Sequence, residues 1–190
     1  MTSPDEYLDS VRRAMVGMAP VVRDDILREL KGHIADSTAA NGGNFQASLV
    51  ALESPREIGR RYRDLYGYGT AFKALFAAIA FLLAVPSVPV LVAGPETLFP
   101  FALSIFFVIG AAAWILWVSV TAGSRAGIFA GIAGLAGRLT AFAIATVTQA
   151  GGITSPAGLG LLLAISVMFV LLGWIPGTAK KAWSRPRPEL

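Results

Sequence analysis

Between residues 71 and 176 the chain carries four apolar runs separated by short polar turns, and this pattern limits what it can fold into. The runs are 71–93, 98–121, 126–150 and 157–176. Each has about 20 residues or more, which at about 1.5 Å per helical residue crosses roughly 30 Å of hydrocarbon. A backbone inside hydrocarbon must satisfy its own polar groups, so each run is expected as a helix. The connections Gly94-Pro95-Glu96-Thr97, Ala122-Gly123-Ser124-Arg125 and 151–156 are short. Short turns force antiparallel neighbours and predict an up-and-down bundle.

The third run is the least self-sufficient, because Arg138 sits near its centre. Its residues Ile128, Phe129, Ile132, Leu135, Leu139, Phe142, Ile144 and Val147 favour insertion by about 0.3–0.6 kcal/mol each, roughly 2.5–5 kcal/mol together. Arg138 costs about 2.5–3.5 kcal/mol on the same scale. Charge at the segment ends decides the matter. With four crossings and the N-terminus inside, Arg125, Lys180, Lys181, Arg185 and Arg187 are all cytoplasmic, and neither outer loop contains Lys or Arg. Three crossings would place the basic tail outside, against the positive-inside rule. The expectation is therefore a multi-pass protein of the cytoplasmic membrane with both termini on the cytoplasmic side.

Arg138 follows Gly134, Gly131 and Gly127 by 4, 7 and 11 residues and so shares their helix face. Gly123, Gly127 and Gly131 form a small-residue ladder that admits a close helix, either within the chain or in a homo-oligomer. The expected partners of Arg138 are Ser104, Ser119, Ser166, Thr140, backbone carbonyls or a second protomer. Pro86 and Pro89 free carbonyls near Leu82 and Val85. Arg138, Pro86 and Pro89 are the candidate intramembrane functional positions, with two readings open for Arg138. It is a sensing or transport position, or a hydrogen-bonded fastening of the bundle. Trp114, Trp117, Trp174 and Trp183 read as interfacial aromatics.

Charge is distributed unevenly along the 190 residues. Residues 1–69 hold nine of the sixteen Lys and Arg and ten of the twelve Asp and Glu. A polar, balanced segment thus precedes an apolar, basic one, and the positive charge behind the net +4 arises in the membrane part. It is no nucleic-acid footprint. The absence of Cys excludes disulfides and thiol chemistry.

Four amphipathic helices are expected in residues 1–69. Ser3-Pro4-Asp5-Glu6 is a capping box, followed by Tyr7, Leu8, Val11, Met15 and Met18 at helical spacing. A second helix over about 20–40 sets Val22, Ile26, Leu30 and Ile34 against a solvated face. Asn41-Gly42-Gly43 breaks it, and Asn44 caps a short third helix. Ser54-Pro55-Arg56-Glu57 repeats the capping box, with Ile58, Tyr62 and Leu65 lining the last helix. Such a bundle is near the lower size limit for independent stability.

The order YLDSVRRAM, RDDILRELKGHIADS, ALESPREIGRRY over residues 5–66 resembles the HAAS family, alpha-helical signalling domains associated with PadR-type transcription regulators. The resemblance implies a regulatory or interaction domain without catalytic residues. Arg28, Glu29, His33 and Asp36 on the second helix are the partner-binding candidates. His33 has too few neighbouring ligands for a metal site, and no cofactor motif is present.

The expected architecture is all-α: a cytosolic four-helix domain over 1–69, a four-helix transmembrane domain over 70–177, and a basic cytosolic tail over 178–190. The expected function is a non-enzymatic, membrane-anchored signalling partner. It would bind the lipid bilayer and a cytosolic protein such as a PadR-type regulator, with no direct contact to nucleic acid. The alternative is a small transporter or permease accessory subunit using Arg138.

Overall fold

In the computed structural model the structure describes residues 3–88, 98–148 and 156–183. Among these, every regular element is helical. The elements are α1 (Pro4–Ala14), α2 (Pro20–Ala40), α3 (Phe45–Ala51), α4 (Pro55–Tyr66), α5 (Thr70–Ala84) with a 3-10 turn (Val85–Ser87), α6 (Leu98–Ala122), α7 (Ser124–Thr148) and α8 (Pro156–Trp183). They separate into two compact units, Met1–Phe72 and Lys73–Leu190.

In the first unit, local chemistry sets the helix boundaries. Ser3 Oγ accepts from Glu6 N–H at 3.2 Å, and Ser3 N–H donates to the Glu6 carboxylate at 2.9 Å, which closes the capping box. At α4 only half of that box forms. Ser54 Oγ accepts from Glu57 N–H, but the Glu57 carboxylate takes the Ser54 hydroxyl proton at 2.8 Å instead of the backbone N–H. Asn44 Oδ1 caps α3 through Ala47 N–H. Gly42 and Gly43 stand at φ +65° and +86°, the left-handed region that ends α2.

Helical spacing delivers a single core of Tyr7, Val11, Met15, Met18, Ile26, Leu30 and Ile34, flanked by Leu8, Val22, Ile58 and Tyr62. α1 packs on both α2 and α4. The α1–α4 approach is close enough that a Cβ at Gly59 would lie 3.1 Å from Val11 O and overlap Ala14. Tyr7 donates its phenol proton to Glu53 O at 2.7 Å. Burial, and then the charge of Glu53, hold that phenol above its usual pKa. Leu65 departs from the helical pattern: it is 74% exposed and lies outside the core.

The second unit is built on close helix contacts. Among the described residues, four helical segments, the first beginning at the end of the first unit, are long and apolar enough to cross a membrane: Thr70–Ser87, Ala102–Ala122, Ser124–Val147 and Gly158–Trp183. Gly123, at φ +88°, turns α6 directly into α7, and the pair runs antiparallel. α7 and α8 are also antiparallel, since Gly127 meets Gly173 while Gly131 meets Phe169. The Trp114 indole N–H donates to Phe76 O at 3.1 Å, placing α6 beside α5.

α8 continues to Trp183, so the first part of the basic tail is helical, with Pro176 inside the helix. Ser119 accommodates the break that Pro176 makes. Its hydroxyl donates to Gly173 O at 2.7 Å and accepts from Gly177 N–H at 3.0 Å, entering the hydrogen-bond ladder of α8. Lys180 Nζ donates to Val120 O at 3.0 Å, satisfying one of the last carbonyls of α6.

Candidate functional site

Arg138 is the one charged side chain buried among the described residues, at 3% exposure. It is the fifteenth residue of α7, about 21 Å along the helix from Ser124. Two neighbouring elements supply its acceptors. Nη1 donates to Ser87 Oγ at 2.8 Å and to Ser87 O at 3.2 Å, on the turn that ends α5. Nε donates to Ser166 Oγ on α8 at 3.2 Å. The ring of Phe169 lies 5.9 Å from the guanidinium carbon and presents its π-face to the cation.

Both serine hydroxyls are oriented for this task. Ser87 donates its proton to Ala84 O, and Ser166 donates to Leu162 O at 2.7 Å. With their protons committed to backbone carbonyls, each turns lone pairs toward Arg138. The C-terminal end of α5 carries roughly half a negative charge from its unpaired carbonyls. Arg138 therefore lies against a helix terminus of opposite sign, with no Asp or Glu in an ion pair with it among the described residues. The arrangement ties the end of α5, the middle of α7 and the middle of α8 at one point.

The glycine face beside Arg138 makes this point reachable. A Cβ at Gly131 would lie 2.6 Å from Phe169 O, and one at Gly134 would lie 3.0 Å from the Phe169 ring. Gly127 and Gly173 block one another's Cβ positions mutually. The ladder thus packs within the chain. Gly123 does not join it: a Cβ there meets nothing within 4 Å, and its part is the turn.

Of the expected partners of Arg138, Ser166 and a backbone carbonyl are those it meets. Ser119 instead bridges α6 to α8, and Thr140 bonds its own helix at Ala136 O. Ser87, the nearest partner, was not among the expected ones. The signal for it was its place directly after Pro86, where a broken helix exposes carbonyls. Gly137 was likewise missed, although a Cβ there would lie 2.7 Å from Phe81 O of α5. Pro86 stands within the 3-10 turn, and Pro89 lies outside the described residues.

On α2, Arg28, Glu29, His33 and Asp36 are all exposed, and Arg28 pairs with Asp25 at 3.3 Å. They form an outward polar face, and among the described residues no group of His, Asp or Glu is placed to hold a metal.

Compared with known proteins, residues 6–61 match the HAAS family model. The segment holds the whole of α2, α3 and most of α1 and α4, nearly the stretch over which the sequence resembles that family. No curated protein and no solved structure matches the chain.

Proposed function

We propose that the chain is a membrane-anchored signalling partner whose HAAS-like helical unit binds a cytosolic protein, of which a PadR-type transcription regulator is the class to expect. The observation that carries this is the HAAS match over residues 6–61 in a chain whose described residues include four helices long and apolar enough to span a membrane. In this reading the α2 face of Arg28, Glu29, His33 and Asp36 meets the partner, both termini lie on the cytoplasmic side of the cell membrane, and the protein catalyses no reaction. The four apolar helices anchor the unit and bring any stimulus to it through the bilayer.

The transport alternative would place Arg138 along a path. Its Nη1 on Ser87, its Nε on Ser166 and its 3% exposure favour the fastening reading instead.

Photo-crosslinking tests the proposal. A photoreactive residue placed at Glu29 in the full-length chain, in its native membrane, should capture a DNA-binding regulator of the PadR class. The charge reversal Arg28→Glu with Glu29→Lys should weaken that binding about tenfold, or 1.4 kcal/mol. Capture of no regulator from this face would overturn it.

A further inference from the structure

Exposed apolar residues lie close along the chain to the point where α5 begins. Residues 16–19 meet residues 67–69 there. Gly69 N–H donates to Gly17 O at 2.8 Å, and a Cβ at Gly69 would lie 3.0 Å from Ala19 N. Within four residues of this contact along the chain, Val16 is 56% exposed, Val21 73%, Leu65 74% and Tyr66 60%. Single exposed apolar residues are ordinary, but these four flank one backbone contact. Thr70, the first residue of α5, follows Gly69 directly.

The candidate membrane span Thr70–Ser87 begins one residue after Gly69, so with α5 in the bilayer the Gly17–Gly69 contact is close, along the chain, to the membrane surface. The remaining composition is interfacial as well. Tyr68 and Phe72 have ring centroids 5.9 Å apart, and the Arg63 guanidinium carbon lies 5.9 Å from the Tyr68 ring centre. Tyr and Arg suit this depth because each has an apolar body and a polar end that reaches water. Asp64 is exposed beside Leu65, and Asp24 is held by Arg12 and Arg23, so charge of one sign does not dominate.

We infer that Val16, Val21, Leu65 and Tyr66 form a lipid-contact foot, seated in the headgroup layer of the bilayer next to the start of α5. Interfacial apolar faces of this kind enter about 5–10 Å. The foot gives these side chains an apolar environment where the headgroups meet the acyl chains. The inference rests on α5 being a membrane span.

The chain has no cysteine, so one introduced cysteine carries one fluorophore. Four variants of the full chain suffice: Val16→Cys, Leu65→Cys, Gln46→Cys and Leu82→Cys. Gln46 is exposed beyond the far end of α2, whose 21 residues reach about 30 Å. Leu82 is exposed on α5. Each is reconstituted in phosphatidylcholine–phosphatidylglycerol vesicles bearing nitroxide at the headgroup or mid-chain. Labels at 16 and 65 should be quenched by headgroup nitroxide severalfold more than the label at 46, with the label at 82 quenched from mid-chain. Equal quenching at 16, 65 and 46, with 82 still quenched, would overturn the foot and leave the span in place. No quenching at 82 would overturn both. A label at 65 shielded from water yet not reached by lipid nitroxide would assign the patch to a protein contact and also overturn the foot.

Discussion

Replacing Arg138 by Met is expected to make α7 insert more readily and the folded membrane unit less stable, two effects of opposite sign. The first follows from removing a charge from the middle of an apolar segment, worth about 2.5–3.5 kcal/mol in insertion, or roughly a hundredfold. The second follows from the bonds to Ser87 Oγ, Ser87 O and Ser166 Oγ, all made by the guanidinium. Taken at about 0.6–1.5 kcal/mol each in a bilayer, their loss destabilises the packed unit by about 2–5 kcal/mol. Met keeps most of the apolar stem, so the loss reflects the polar contacts. An insertion assay on α7 reads the first effect, and unfolding of the purified chain in bicelles reads the second. Ser87→Ala and Ser166→Ala should each cost about 1 kcal/mol alone and add less when combined with the Met variant. Unchanged unfolding of the Met variant would remove the fastening role.

Gly131→Val should be comparably damaging, for a steric reason. The new Cβ would lie 2.6 Å from Phe169 O and 2.9 Å from Val170 Cα, both backbone atoms that cannot rotate away. α7 and α8 must then separate, which also pulls Ser166 from Arg138. Overpacking costs about 1–3 kcal/mol in general, and a backbone-blocked site belongs at the upper end, about 3 kcal/mol. Gly160, on α8, meets nothing within 4 Å, so Gly160→Ala should be neutral or stabilise by up to about 1 kcal/mol. Equal stability of the two variants would show that α7 and α8 do not depend on that approach.

Much of this was legible in the sequence because it depends on local rules. Ser3 and Ser54 announce helix starts, the spacing of Tyr7, Val11 and Met15 announces a core face, and Gly127 and Gly131 announce a close helix. Leu65 follows the same spacing and yet is exposed, because α4 ends at Tyr66 and its last turn lies beyond the core. The partners of Arg138 were legible only in kind. A buried cation with no acid nearby must find hydroxyls and carbonyls, but which serine it meets depends on where α5 breaks. That break sets Ser87 beside α7 across 51 residues of chain. Ser119 was harder still, since its role arises from Pro176 on another helix, which no spacing within α6 reveals.

With α7 crossing the bilayer as proposed, four crossings would return the basic C-terminal segment to the side of the HAAS-like unit. A topology reporter fused after Leu190 in the intact chain tests this most directly. A reporter active only in the cytoplasm is the predicted result. A reporter active only on the outer side would mean three crossings and would contradict a membrane-spanning α7.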